Sequence, residues 1–125
     1  MRSLFAGPTP GLVVAGLLSL AALSIDAAPR IGARDLALAR DYVLAACLIH
    51  RYPGTPLAAE AEAWAGGLVE QGGLAADAYP ALAQFARTAP EPGTTRDGVS
   101  MRLQSCVDFV SARGFSDRLR KLLQR

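Results

Sequence analysis

The chain has 125 residues, is rich in Ala and Leu, and carries a formal net charge of +2. That length leaves room for one domain at most. The charge is spread along the chain, and neither a recognition element nor stacking aromatics accompany it, which argues against a nucleic-acid partner. The one locally basic stretch, with Arg113, Arg118, Arg120, Lys121 and Arg125, reads as the solvated C-terminal end of a helix, where cations suit the dipole.

The chain opens with Arg2 and then an apolar run from residue 11 to residue 25, followed by small residues at Ala27 and Ala28 and by Pro29. A positive start, an apolar stretch of roughly 15 residues and a small-residue exit describe a secretory signal peptide. A spanning helix needs about 20 apolar residues, so a retained anchor is the lesser alternative. Cleavage after Ala27 or Ala28 divides the chain into a signal segment, residues 1–27, and a domain, residues 28–125. The expected location is the periplasm, with no attachment to the membrane after cleavage.

Two cysteines remain in the mature domain, Cys47 and Cys106, 59 positions apart. In an oxidising compartment they form the single intramolecular pair available, the alternative being two buried thiols. A core built from about 100 residues is thin and gains from such a staple.

Five helices are predicted, with no strand. The first covers residues 33–51, where Leu36, Ala39, Val43, Cys47 and His50 recur at helical steps until Pro53-Gly54. Thr55-Pro56 opens the second with a capping hydroxyl and a proline at the first helical position. Leu57, Ala61, Trp64, Ala65, Leu68 and Val69 then define its apolar face, with Trp64 read as a core aromatic. Gly72-Gly73 ends it. The internal pair Gly66-Gly67 costs about 1 kcal/mol per residue relative to Ala, which points to close approach by another backbone or to a bend. The third helix starts near Asp77 as its cap and buries Tyr79, Leu82, Phe85 and Ala86. Residues 88–98, rich in Pro, Gly and Thr, form an exposed loop. The fourth helix places Val99, Leu103, Cys106, Val107 and Val110 on one stripe. After Gly114, Ser116 caps a last helix with Leu119, Leu122 and Leu123. The fold class is therefore all-α, a small bundle in which a Cys47–Cys106 bridge clamps the first helix to the fourth.

Catalytic chemistry has little to draw on. His50 is the only histidine and sits at the edge of an apolar stripe, and no spacing nominates a nucleophile and an orienting carboxylate beside it. Glu60 and Glu62 face apart on a helix, the cysteines are committed to each other, and no ligand set for a metal emerges. The glycine pairs lack the strand and the Lys-Ser/Thr of a phosphate loop. No catalytic residue, metal or cofactor is expected, and the chain is read as a non-enzyme. Asp108 is assigned a structural role.

Four segments, taken in order, resemble a known family. They are Asp41-Tyr42-Val43-Leu44-Ala45-Ala46-Cys47-Leu48, then Ala65-Gly66-Gly67-Leu68-Val69-Glu70-Gln71-Gly72, then Ala78-Tyr79, and finally Met101-Arg102-Leu103-Gln104-Ser105-Cys106-Val107-Asp108-Phe109 with Leu119 beyond. The set is similar to the periplasmic immunity proteins that neutralise type VI secretion amidase effectors, in the fourth amidase–immunity class. Val110, Ser111 and Ala112 stand where the family has an aromatic and a His-Ser pair, Asp77 replaces a Glu, and the loop at 90–98 is short. The resemblance implies a helical periplasmic protein, often a homodimer, that binds a papain-like peptidoglycan amidase and blocks its Cys-His site. On that basis Gly66, Gly67, Glu70, Gly72, Asp77 and Tyr79 are candidate partner contacts, together with the loop at 90–98 and the turn at 72–77. The competing expectation is a small disulfide-containing periplasmic chaperone or stress protein.

Overall fold

A computed structural model describes residues 31–124, together with Gly7, Pro10 and Gly11. The expected signal segment and its cleavage site lie outside the described residues. Five helices follow one another: α1 Ala33–Arg51, α2 Pro56–Gln71, α3 Ala78–Ala86, α4 Arg102–Ser111 and α5 Phe115–Leu123. Among the described residues there is no strand, only one antiparallel bridge between Thr94 and Ser100. No helix there is long and apolar enough to cross a membrane. The all-α reading stands.

Helix α1, about 28 Å long at 1.5 Å per residue, is the axis of the domain and touches each of the other four helices. Ala39, Val43, Ala45 and Cys47 on it are fully enclosed. The small side chains at 39 and 45 let neighbours approach closely on more than one side. Helices α3, α4 and α5 have nine, ten and nine residues, too few to hold together in water without tertiary packing. Their place on α1 is what makes them helices.

The second helix begins as its sequence dictates. The Thr55 hydroxyl oxygen accepts from Ala58 N–H at 3.2 Å and donates to Tyr52 C=O at 2.6 Å, with Pro56 in the first turn. It ends at Gly72, whose φ of +70° belongs to the left-handed region that Gly enters at little cost.

Other expectations need correction. Asp77 occupies the cap position of α3 as expected, but it sits in the right-handed helical region and its side chain makes no bond to the helix. Ser116 does not open α5, which starts one residue earlier with Gly114 at its cap position and Phe115 buried. Trp64 is not a core residue: it lies 39% exposed beside the buried face formed by Ala58, Ala61, Ala65 and Leu68. On α4 the buried set is Cys106, Phe109 and Val110, while Leu103 and Val107 face out. The rotation follows the aromatic rings. Phe109 lies 5.2 Å from Phe85 and 5.5 Å from Phe115, and Phe85 stacks on Phe115 at 5.6 Å. Three mutually packed rings bury more apolar surface than Leu103 and Val107 could bring, so α4 turns Phe109 inward.

Cys47 and Cys106 are bonded, with Cα atoms 5.7 Å apart and both side chains fully buried. Helix α4 runs antiparallel to α1 across this bridge. Arg40 Nε donates to Val110 C=O at 3.4 Å below it, and Arg102 Nη1 donates to Arg51 C=O at 2.9 Å above it. Closing a loop of this length restricts the unfolded chain by about 4 kcal/mol on the loop-entropy account. The double variant Cys47→Ala/Cys106→Ala is therefore expected to lose about 2–5 kcal/mol of unfolding free energy in urea, and reduction of the native protein to lose a similar amount. Equal stability of the oxidised and reduced forms would show that the bridge is not what holds α4 in place.

Candidate functional site

The loop between α3 and α4 is the most elaborated part of the surface. Arg51, the last residue of α1, has a side chain only 10% exposed. Its Nη2 donates to Ala89 C=O at 2.9 Å and to Pro90 C=O at 2.8 Å, and its Nη1 reaches Glu91 at 3.3 Å. Ser105 on α4 adds a second tie, donating its hydroxyl to Pro90 C=O at 2.7 Å. From this base the chain runs out and back as a small hairpin. Met101 N–H donates to Gly93 C=O at 2.8 Å, Thr95 N–H to Val99 C=O at 2.8 Å, and the Thr95 hydroxyl oxygen accepts from Val99 N–H at 3.0 Å. Gly98, with φ +85°, closes the tip through a bond from its N–H to Thr95 C=O. Internal bonds thus fix a loop that composition alone describes as irregular.

Val99, 60% exposed, stands on the return arm of this hairpin. Leu103 and Val107, one helical turn apart on α4, continue the exposed aliphatic surface at 51% and 43%. A water-facing Val–Leu–Val series beside a pre-formed loop is a plausible docking element. The guanidinium of Arg102 lies 4.4 Å from the centre of the Tyr52 ring and braces the junction of α4 with the end of α1.

The residues proposed from sequence as partner contacts divide into groups. Gly66, Glu70 and Gly72 are exposed and Gly67 is half-buried, all on or just beyond the outer side of α2. A Cβ placed on Gly66 or Gly67 would meet nothing within 4 Å. The glycine pair therefore serves no close packing among the described residues. Asp77 lies at a separate place, on the rim of an apolar groove of about 630 Å³ between α1, α3 and α5, with Asp35 and Leu122 also lining it. Tyr79 is 8% exposed and packs edge-on against Tyr42 at 5.1 Å. Its place is in the core, so a partner could reach it only through α3 itself. The turn at 72–77 leans on the first turn of α1, where Gly73 leaves only 3.3 Å between an added Cβ and the Asp35 carboxylate.

Nothing matches in the comparisons: no protein family, no curated protein and no solved structure.

His50 is exposed and lines a groove with Tyr42, Ile49, Pro53 and Arg87, among others, and among the described residues no carboxylate lines that groove. Among the described residues no three His, Cys, Asp or Glu side chains gather as metal ligands. Asp108 is exposed and enters no ion pair among the described residues, which removes the structural role expected for it.

Sequence pattern missed Arg51, Phe109, Phe115 and Arg118. For Phe115 a signal was present, since Phe115 and Leu119 are four residues apart, but Gly114 read as a break and drew the helix start to Ser116.

The Tyr79 hydroxyl is buried without a hydrogen-bond partner among the described residues. An unpaired buried hydroxyl costs more than it returns. Tyr79→Phe is expected to leave stability unchanged or raise it by about 1 kcal/mol, whereas Tyr79→Ala costs about 3–5 kcal/mol. Thermal unfolding of both variants checks this. A Tyr79→Phe variant as unstable as Tyr79→Ala would mean that the hydroxyl has a partner.

Proposed function

We propose that this chain is a periplasmic immunity protein, one that binds a peptidoglycan-cleaving type VI amidase and covers its active-site cleft. The reading begins from the four ordered motifs and the signal-like start, and one structural observation supports it most. The hairpin at residues 93–101 is pre-formed, anchored through Arg51 and Ser105, and bordered by exposed Val99, Leu103 and Val107. A loop already held in shape loses little freedom on entering a cleft. Apolar side chains beside it supply the anchors that carry binding energy. Binding, not turnover, is the role this surface suits, and on this reading the protein has no catalytic activity of its own.

The assay pairs the oxidised protein with a peptidoglycan amidase encoded in the same genome. Stoichiometric inhibition at nanomolar concentration is expected. Leu103→Asp, which places a charge on an exposed position, should weaken inhibition about tenfold to a hundredfold with unfolding unchanged. Full amidase activity with the protein in excess, over every amidase of that genome, would reject the immunity role. Suppression of aggregation by many unrelated unfolded proteins would favour a chaperone instead.

A homodimer, where one forms, would use the outer side of α2. Ala63 and Gly66-Gly67 leave open space there, and Trp64 flanks it with an exposed ring. Small residues permit close approach of a second helix backbone, which would compensate the helix propensity they sacrifice. Gly66→Ala/Gly67→Ala is expected to raise helix stability by about 1 kcal/mol per position and to shift the protein toward monomer in sedimentation. A variant that stays as dimeric as the parent, or a parent that is monomeric throughout, would exclude this interface.

A further inference from the structure

A second feature of α4 lies on a different side of the helix from Leu103 and Val107. There the hairpin base and α4 border an open pocket of about 590 Å³, within the size range of small-molecule sites. Pro90, Met101 and Phe109 contribute apolar surface, and Gln104, Asp108 and Arg118 line it with polar groups. The wall is held in place independently of any ligand, since Pro90 C=O accepts from both Arg51 and Ser105.

Glu91 also lines the pocket, but it is paired with Arg51 at 3.3 Å; the other two charged groups, Arg118 and Asp108, are notable for what they do not do. The Arg118 guanidinium lies 4.9 Å from the centre of the Phe85 ring and 5.6 Å from that of Phe109. A cation–π contact holds the guanidinium near the two rings without using up its N–H donors, which can still receive a planar acceptor such as a carboxylate. Among the described residues Arg118 has no carboxylate partner and donates no side-chain hydrogen bond. Asp108 is likewise unpaired, and the two do not approach within the 4.0 Å of an ion pair. One pocket thus presents an exposed cation and an exposed acceptor-only anion that do not neutralise each other, with Met101 and Phe109 among its apolar lining.

We propose that this pocket binds a small apolar amino acid in its zwitterionic form. The α-carboxylate is received by Arg118, the α-ammonium by Asp108, and the side chain by Phe109 and Met101. A lone carboxylate would leave Asp108 repelling it, and a lone amine would face Arg118; a ligand carrying both charges satisfies both groups. Hydrolysis of a peptide bond is the class of reaction that generates such ligands. The inference stands apart from the immunity reading, because it concerns another face of α4 and requires no amidase.

The test is a titration of the oxidised, ¹⁵N-labelled protein with L-leucine, N-acetyl-L-leucine and L-leucinamide, followed by amide chemical shifts. Saturable shifts at Gln104, Asp108 and Phe109 are expected with leucine in the millimolar range that a ligand of this size reaches. Either cap should weaken binding about tenfold, the loss of one charge-assisted contact. Asp108→Asn should abolish the preference for leucine over its N-acetyl form while keeping the preference over the amide. Arg118→Gln should do the reverse. Because Asp108 is exposed and makes no ion pair, its variant is expected to fold, so that arm decides the matter even where Arg118→Gln disturbs the rings. Absence of saturable shifts in the parent protein would overturn the proposal. So would equal binding of all three probes, which would leave Arg118 as a cover over Phe85 and Phe109 and nothing more.

Discussion

The covalent bond between α1 and α4 is the constraint on which the remaining architecture rests. It joins two fully enclosed sulfur atoms near the middle of the bundle, and the 59-residue separation it spans contains α2, α3 and the hairpin. Helix α4 on its own offers only Cys106, Phe109 and Val110 to the core, a narrow hold for ten residues. With the bridge made, α4 becomes a rigid continuation of α1, and everything attached to both helices inherits a fixed geometry. The hairpin is the main beneficiary, since Arg51 ties it to one and Ser105 to the other.

Much of the fold was legible because the sequence punctuates it clearly. Thr55-Pro56 starts α2 and Gly72 stops it for local reasons that no tertiary contact overrides. Helical spacing located the buried face of α1 through Ala39, Val43 and Cys47. The reading failed where an apolar arc was wider than the core could cover. On α4 four aliphatic or sulfur positions, Leu103, Cys106, Val107 and Val110, competed with Phe109, and Val99, predicted on the same stripe, lies before the helix; periodicity could not tell which part of the arc faced inward. On α2 the same degeneracy assigned Trp64 to the interior, although a helix buried through Ala58, Ala61 and Ala65 has no room for an indole on that side. The glycine pair illustrates a different limit. A sequence shows that two glycines are costly in a helix, but not whether their compensation comes from the same chain.

The candidate surfaces were less visible than the core. The loop at 90–98 was recognised as exposed, yet its order comes from Arg51, which by position reads as an unremarkable cation at a helix end. Its partners are main-chain carbonyls of Ala89 and Pro90, and a carbonyl acceptor leaves no trace in the identity of the residue that carries it. Arg118 was hidden for a related reason: it belongs to a basic C-terminal stretch, and only the three-dimensional meeting of Phe85 with Phe109 singles it out from its neighbours.

The way Arg51 holds the hairpin also decides how the loop responds to substitution. Its two shortest bonds go to main-chain amide oxygens, which carry no charge. The one carboxylate in the arrangement, Glu91, has a side chain 92% exposed and contributes little through so screened a contact. The anchor of the hairpin therefore rests on main-chain acceptors and not on an ion pair. Changes of side chain at residues 89 and 91 would accordingly leave the anchor in place, since the acceptors that hold it belong to the backbone.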